Sequence, residues 1–276
     1  MPTPPSPTRL VISLTTTRER LPLIKPVVAV LVEQQTYKPD VVALAVRAAD
    51  PLPQWLRRWN HTTRRPGVLR LVRMAVDYGP ASKLLAVLQE GGERDPATVI
   101  LFCDDDVLMS RRLAAMHYAA QTSAAAPTAF SSRAINIRQQ RVLEATGSIS
   151  VRASWMPNEA FSIATQPDVC RLSDDFWLSH WLSRAGVKLE TLPGCKYDYG
   201  RNRWPVSCGK IRPLPGIGEI GALSSRKLEA DGSARHSGGD WRDQLKRYEA
   251  CQDLLLNDRL HGRRTASPRR ARWLGR

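Results

Sequence analysis

The stretch Val99-Ile100-Leu101-Phe102-Cys103 runs straight into Asp104-Asp105-Asp106. Five apolar residues without alternation mark a strand covered on both faces, as in a parallel sheet sandwiched between helices. The three carboxylates then fall where such a strand leaves the sheet, which is the edge at which open α/β sheets bind ligands. Acids this close repel one another, and burial penalises each of them unless cations or hydrogen-bond donors offset the cost. A hard divalent cation held by oxygen ligands and shared with substrate phosphates is one solution. A solvated acidic loop or a helix N-cap is the plainer one, since aspartate favours both.

Upstream, the pattern is that of alternating strands and helices. Leu10-Val11-Ile12-Ser13-Leu14 reads as a first strand, ending in Thr15-Thr16-Thr17-Arg18. Ile24, Val27, Val28 and Leu31 fall at i, i+3, i+4 and i+7, one face of a helix, with Pro22 and Pro26 near its first turn. Val41 to Val46 is a second buried strand, so the opening is a βαβ unit, for which a parallel, right-handed pairing is expected. Val68 to Val72 alternates as a less buried strand, Asp77-Tyr78-Gly79-Pro80 is a turn, and Leu84, Val87 and Leu88 mark the next helix. Strands separated by helices, all before residue 107, predict a nucleotide-binding α/β half. Neither GxGxxG nor GxxxxGK[ST] follows any of them, which counts against a dinucleotide site and a P-loop.

Downstream, a helix is expected over 111–120 and strands and loops over 130–154, with Gly147 to Val151 the clearest. Ser173 is placed to cap a helix whose first turn carries Asp174 and Asp175 and whose apolar stripe is Leu178, Trp181, Leu182 and Ala185. Gly186 ends it, and Val187 to Leu192 is a short strand. From 193 to 239 the chain is rich in Gly, Pro, Ser and Arg without periodicity, a long loop of the kind that often forms lids or acceptor sites. Trp241 to Leu256 returns to a helical pattern.

Bulk properties set the outer bounds. The chain has 276 residues, 42% of them hydrophobic, enough for one large domain and a tail. No apolar run approaches the ~20 residues of a membrane span, and the Pro-rich start has no apolar signal core. Five cysteines, Cys103, Cys170, Cys195, Cys208 and Cys251, are odd in number and form no CxxC. That argues against a zinc ribbon or a disulfide framework and for a reducing cytoplasm. A net charge of +15 suits anionic partners. Much of the excess is local: seven arginines and one acid lie between Asp258 and Arg276, the pattern of a flexible basic tail.

The chemistry is weighed against ordinary uses of the same residues. Asp at a helix start is usually a cap worth up to ~1 kcal/mol, but two consecutive acids exceed what a cap requires. If that helix start faces the same hollow as Asp104–Asp106, one of its carboxylates is within reach to serve as a general base toward a hydroxyl. Lys83 suits a phosphate, although helix-face lysines are commonly solvated. Asp77 suits a base N–H, although Asp before Gly-Pro is ordinary turn chemistry. His236 is a lone loop histidine, and Trp177 and Trp181 suit a core.

Taken in order, the segments VISLTTTRERL (11–21), IKPVVAVLVEQQTYKPD (24–40), DYGPASKLL (77–85), FCDDDV (102–107) and LSDDFWLSHWLSRAGV (172–187) resemble the family 2-like glycosyltransferases of the GT-A fold. The resemblance covers about residues 9 to 192; Trp241 to Leu256 is a weaker match. It implies a GT-A (Rossmann-like) mixed, mainly parallel sheet flanked by helices, followed by a long loop, a helix and a basic tail. The implied division is a leader over 1–8, a glycosyltransferase domain over 9–257 with a nucleotide-binding half (9–107) and an acceptor half (108–257), and a tail over 258–276. Asp104 and Asp106 match the family's DxD motif, with Asp106 the more direct ligand of Mn²⁺ or Mg²⁺ and Asp105 counted in the same donor-binding turn. Thr15, Thr17 and Arg18 match the first-strand edge that lines the nucleotide pocket, Asp77 the acid at the nucleobase, and Lys83 a basic residue near ribose or phosphate. Asp174-Asp175 stands where the family commonly has Glu-Asp, which makes Asp175 the base; the shorter Asp174 is the departure. His236 is the implied completion of the metal shell.

The expected function is therefore a metal-dependent, inverting transfer of a sugar from a nucleotide-sugar donor, a UDP-sugar among the options, to a glycan or small-molecule hydroxyl, as in polysaccharide biosynthesis. A cytoplasmic protein is expected, its Arg-rich tail touching an anionic membrane. The alternatives are nucleic-acid binding or nucleotidyl transfer, and a non-catalytic binding protein of the same fold. The first is weakened because the arginine excess lies in the tail and no interleaved basic-aromatic sheet appears, so no nucleic-acid partner is expected.

Overall fold

A computed structural model describes residues 5–75, 78–90, 94–138, 140–156, 168–170, 173–195, 212–213, 226–228, 234–236 and 241–260. The strands are β1 (Arg9–Thr15), β2 (Val41–Arg47), β3 (Leu69–Met74), β4 (Thr98–Cys103), β5 (Val107–Leu108), β6 (Thr128–Ile137), β7 (Gln140–Arg152), β8 (Lys188–Thr191), β9 (Arg212–Pro213), β10 (Arg226–Leu228) and β11 (Ala234–His236). The helices are α1 (Lys25–Ala29), α2 (Gln54–Arg57), α3 (Trp59–Thr62), α4 (Ser82–Leu85), α5 (Leu113–Ser123), α6 (Asp174–Arg184) and α7 (Trp241–Leu260). Both α1 and α4 continue as a wider, π-type turn, over Val30–Gln34 and Ala86–Glu90.

The mixed, mainly parallel sheet flanked by helices forms as expected. Its order is β3-β2-β1-β4-β7-β6-β8, and β7 alone runs against the rest. Every residue of β4 is buried. Because side chains alternate across a strand, Ile100 and Phe102 enter one core with Val11, Ala43 and Val151, while Val99, Leu101 and Cys103 enter the other with Leu10, Ile12 and Val27. One uninterrupted apolar run thus serves two hydrophobic layers. The predicted face of the first helix is likewise buried, with Ile24, Val27, Val28 and Leu31 at 0% exposure and Pro26 in the first turn.

Two features differ from the sequence reading. The 130–154 region is one long hairpin, β6–β7, closed by Arg138 in a left-handed conformation (φ 52°). Its outer half, with Phe176 and Trp177 of α6 and Tyr248 and Leu255 of α7, builds a separate small core. Secondly, Cys170 and Cys251, 81 residues apart in sequence, form a disulfide inside that core, and Cys195 is disulfide-bonded as well. The expectation of no disulfides is therefore corrected, and the cysteine argument for a reducing compartment falls with it. A search for short spacings does not see a pair that only folding brings to a Cα–Cα distance of 5.1 Å. Cys103 is the free thiol among the described residues. Thr8 N–H donates to the Ala97 carbonyl (3.0 Å), the Tyr118 hydroxyl donates to the Pro7 carbonyl (2.5 Å), and α7 takes in Asp258, Arg259 and Leu260. The arginines from Arg263 onward lie outside the described residues, as does most of 193–239 apart from β9, β10 and β11. Among the described residues, no helix is long and apolar enough to cross a membrane.

Candidate active site

Register brings the pieces together. Leu14 lies beside Cys103 in the β1–β4 pairing, so Thr15–Thr16 and Asp104–Asp105 leave the sheet side by side. After β1 the chain folds at once into a tight turn, in which the Arg20 N–H donates to the Thr17 carbonyl (3.1 Å). That turn returns the Arg20 side chain beneath the acidic segment, where it is 1% exposed.

The three aspartates do not behave alike. Asp105 points inward at 1% exposure, with Oδ1 accepting from Arg20 Nη1 (2.6 Å) and Oδ2 from Thr16 Oγ1 (2.5 Å). Both of its oxygens are taken, so this member of the predicted donor-binding set serves the turn from below instead of facing a ligand. Asp104 and Asp106 remain partly open, their side chains 28% and 23% exposed. Arg20 Nη2 also approaches Asp106 Oδ2 at 3.4 Å. Desolvation raises the Asp106 carboxyl above its ordinary range, with Asp105 adding to it and Arg20 opposing. It likewise lifts Asp104 to about 6, against the pull of Lys83.

Lys83 reaches this edge from the opposite direction. Gly79, in a left-handed conformation (φ 62°) that a side chain would strain, opens the short turn that starts α4. The Ser13 hydroxyl donates to the Lys83 carbonyl and ties α4 to β1. Lys83 is 5% exposed rather than solvated, and its Nζ lies 2.9 Å from Asp104 Oδ1 and 3.3 Å from Asp174 Oδ2. Burial acts to lower its pKa, but Asp104, Asp174 and Asp175 together raise it well above the ordinary value, so the ammonium stays charged.

Asp174 and Asp175 open α6, which is held to the hairpin by the Ser179 hydroxyl accepting the Leu143 N–H (2.9 Å) and is stopped by Gly186 at φ 77°. The predicted Ser173 side-chain cap does not form: Ser173 is the N-cap residue, but its buried hydroxyl has no partner. Its Asp174 neighbour turns to Lys83, while Asp175 is 8% exposed.

The structure thus brings Asp104, Asp106, Lys83, Asp174 and Asp175 to one edge. Thr15 is buried there with its hydroxyl donating to the Ala45 carbonyl (3.3 Å), the Thr17 hydroxyl is buried without a partner, and Arg18 is exposed. Asp77 lies outside the described residues, and of His236 only its place in β11 is described. Sequence reading missed Arg20 and Thr16. The available signal was the charge balance: three adjacent acids at a buried strand end need a buried cation, and TTTRER offers one beside the neighbouring strand.

Asp104 and Asp106 give two hard oxygen donors, and among the described residues no three His, Cys, Asp or Glu side chains converge as a metal cage. That donor set fits Mg²⁺ or Mn²⁺ shared with substrate phosphates rather than an ion held by protein alone. The partnerless Thr17 hydroxyl, in the turn after β1, is a further buried polar group with bonding capacity to spare.

No protein-family model matches this sequence, and neither does any curated protein. Among solved structures, the chain is similar to a mannosyltransferase from Pyrobaculum calidifontis in complex with GDP-Man and Mn²⁺, at 21% identity over 70% of this chain and 57% of that one, with a TM-score of 0.47. It is similar to glucosyl-3-phosphoglycerate synthase from Mycobacterium tuberculosis in complex with Mn²⁺, UDP and glucosyl-3-phosphoglycerate, at 12% identity over 78% and 76% of the two chains (TM-score 0.45). It is also similar to a 4-diphosphocytidyl-2C-methyl-D-erythritol synthase, at 12% identity over 77% and 97% (TM-score 0.44). The chain spans 57% of the length of the mannosyltransferase. Likenesses of this size carry no weight for the reaction.

Proposed function

We propose that this protein is a metal-dependent glycosyltransferase that moves a sugar from a nucleotide-diphosphate sugar to an acceptor hydroxyl with inversion. The observation that carries the reading is Lys83, whose ammonium touches both the acidic turn after β4 and the acid pair opening α6. Two acidic groups of different chemistry, one suited to a cation and one to a proton, are thereby within reach of a single small substrate.

Asp104 and Asp106 are the residues that would hold Mn²⁺ or Mg²⁺ together with the donor diphosphate. When bound there, the cation supplies charge neutralisation to the leaving nucleotide diphosphate. Lys83 adds a fixed positive charge at the same place, already desolvated and therefore strong. Thr15, Thr17 and Arg18 line the nucleotide side, with Asp77 assigned to the base and His236 to the metal shell. Asp175 accepts the proton of the acceptor hydroxyl, and Asp174, held by Lys83, fixes the helix start from which it acts. The hydroxyl oxygen bonds to the anomeric carbon as the bond to the diphosphate breaks on the opposite side, and the electron pair leaves with the diphosphate. The Arg-rich end is assigned to an anionic membrane surface, and the product to a surface glycan or polysaccharide.

The test is transfer and hydrolysis across a panel of nucleotide sugars with and without Mn²⁺. Asp106→Asn is expected to lose metal-dependent donor use. Asp175→Asn is expected to keep donor affinity and lose transfer. Wild-type transfer by both variants overturns the roles, and salt-sensitive DNA or RNA affinity without nucleotide-sugar affinity overturns the function.

A further inference from the structure

We propose that Lys83 is a positioning residue that couples occupancy of the acidic turn to the acid pair of α6: its ammonium holds Asp104 and Asp174 together until a divalent cation claims Asp104, after which it pairs with Asp174. This rests on the reading of Asp104 and Asp106 as the cation-holding pair.

The geometry sets up the competition. Lys83 Nζ is 2.9 Å from Asp104 Oδ1, the same carboxylate the cation needs, and 3.3 Å from Asp174 Oδ2 on a different element. The lysine cannot simply withdraw into solvent. Its side chain is 7% exposed, and its backbone is pinned to β1 by the Ser13 hydroxyl. A second positive charge at Asp104 therefore repels an ammonium whose other ion-pair contact is Asp174, with Asp175 also drawing it toward α6. Arg20 competes less, because its short contact is with the inward Asp105 and its approach to Asp106 is the longer one, at 3.4 Å. Within α6, the change is felt at the first turn, where the Trp177 N–H donates to the Ser173 carbonyl (3.0 Å) with no side-chain cap to support it. A helix start without a side-chain cap, whose first acid is gripped by Lys83, responds to how firmly Asp174 is held.

The experiment titrates Mn²⁺ alone into the full chain and follows binding by electron paramagnetic resonance and amide exchange of the α6 first turn by mass spectrometry. Neither readout requires turnover. Removing the competitor in Lys83→Met is expected to tighten Mn²⁺ at least tenfold. In the wild type, Mn²⁺ is expected to slow exchange in the first turn of α6 threefold or more; in Lys83→Met that response disappears although the ion binds. Lys83→Gln, which keeps a polar head without charge, gives the same pattern and covers the case in which the methionine variant folds poorly. Unchanged or weaker Mn²⁺ binding in the uncharged variants overturns the coupling, as does an α6 response that persists in them. Asp106→Asn separates the two layers of the argument. Wild-type Mn²⁺ affinity that is lost in Asp106→Asn but unmoved in Lys83→Met sinks the coupling alone, whereas a wild-type protein without Mn²⁺ affinity sinks the cation reading and the coupling together.

Discussion

Replacing Arg20 by methionine removes the cation from a pair in which both side chains are 1% exposed. Asp105 then keeps its Thr16 hydrogen bond at 2.5 Å but loses the guanidinium at 2.6 Å, leaving a carboxylate inside the protein with no counter-charge at contact distance. Breaking a buried pair from one side typically costs about 3–5 kcal/mol, because the surviving charge is stranded. That is a large share of the ~5–15 kcal/mol by which a domain is stable. Asp105→Leu strands Arg20 instead, although its 3.4 Å approach to the partly open Asp106 softens the loss, so a smaller cost of about 2–4 kcal/mol is expected. The informative variant is the double one, Arg20→Met with Asp105→Leu. It removes both charges; the Thr16 hydroxyl loses its acceptor, at about 1 kcal/mol, and the partly open Asp106 loses a 3.4 Å contact that water can replace. It should therefore recover most of what either single change loses. Urea unfolding followed by circular dichroism and tryptophan fluorescence, under oxidising conditions, gives all three values. Single-variant losses below about 1 kcal/mol, or a double variant as unstable as the sum of the singles, would refute the claim that this pair is desolvated and mutually dependent.

Three further outcomes are expected. His117, fully buried with its ring nitrogens at Ser150 Oγ (2.9 Å) and Ser148 Oγ (2.7 Å), is pushed by burial from 6.5 down to about 3. The native ring stays neutral while the unfolded chain gains a proton below about 6.5, so stability is full above that pH and falls by roughly 1.4 kcal/mol per unit toward 3. Unfolding midpoints between pH 7 and 4 should fall less steeply in His117→Asn than in the wild type, and parallel slopes would contradict this. Opening the Cys170–Cys251 link, which closes an 81-residue separation, should cost about 4.5 kcal/mol by chain entropy; equal melting of Cys170→Ser/Cys251→Ser and the wild type would count against a formed bridge. Ile100→Ala, at the centre of β4 and 0% exposed, should cost about 2–5 kcal/mol in the same urea assay, and a loss under 1 kcal/mol would mean that β4 is not the covered strand described above.

By itself, the sequence determined the layered α/β architecture and the edge at which chemistry collects. The continuous run 99–103 has no polar face to give to water, so it must be covered on both sides, and the first acid after it must stand at the strand's end. The helical spacing of Ile24, Val27, Val28 and Leu31 carries the same kind of local information, because periodicity is a property of neighbours along the chain. Only the tertiary structure decided which acids share a cation, which one turns inward, and which cysteines meet. Arg20 beneath Asp105, Lys83 between Asp104 and Asp174, and Cys170 against Cys251 join segments far apart in sequence. No local spacing encodes those pairings; they follow from β1 and β4 lying in register and from α7 folding back onto the β6–β7 hairpin. An electrostatic or covalent partner is chosen by proximity in space, and the chain reveals that proximity only once its cores have closed.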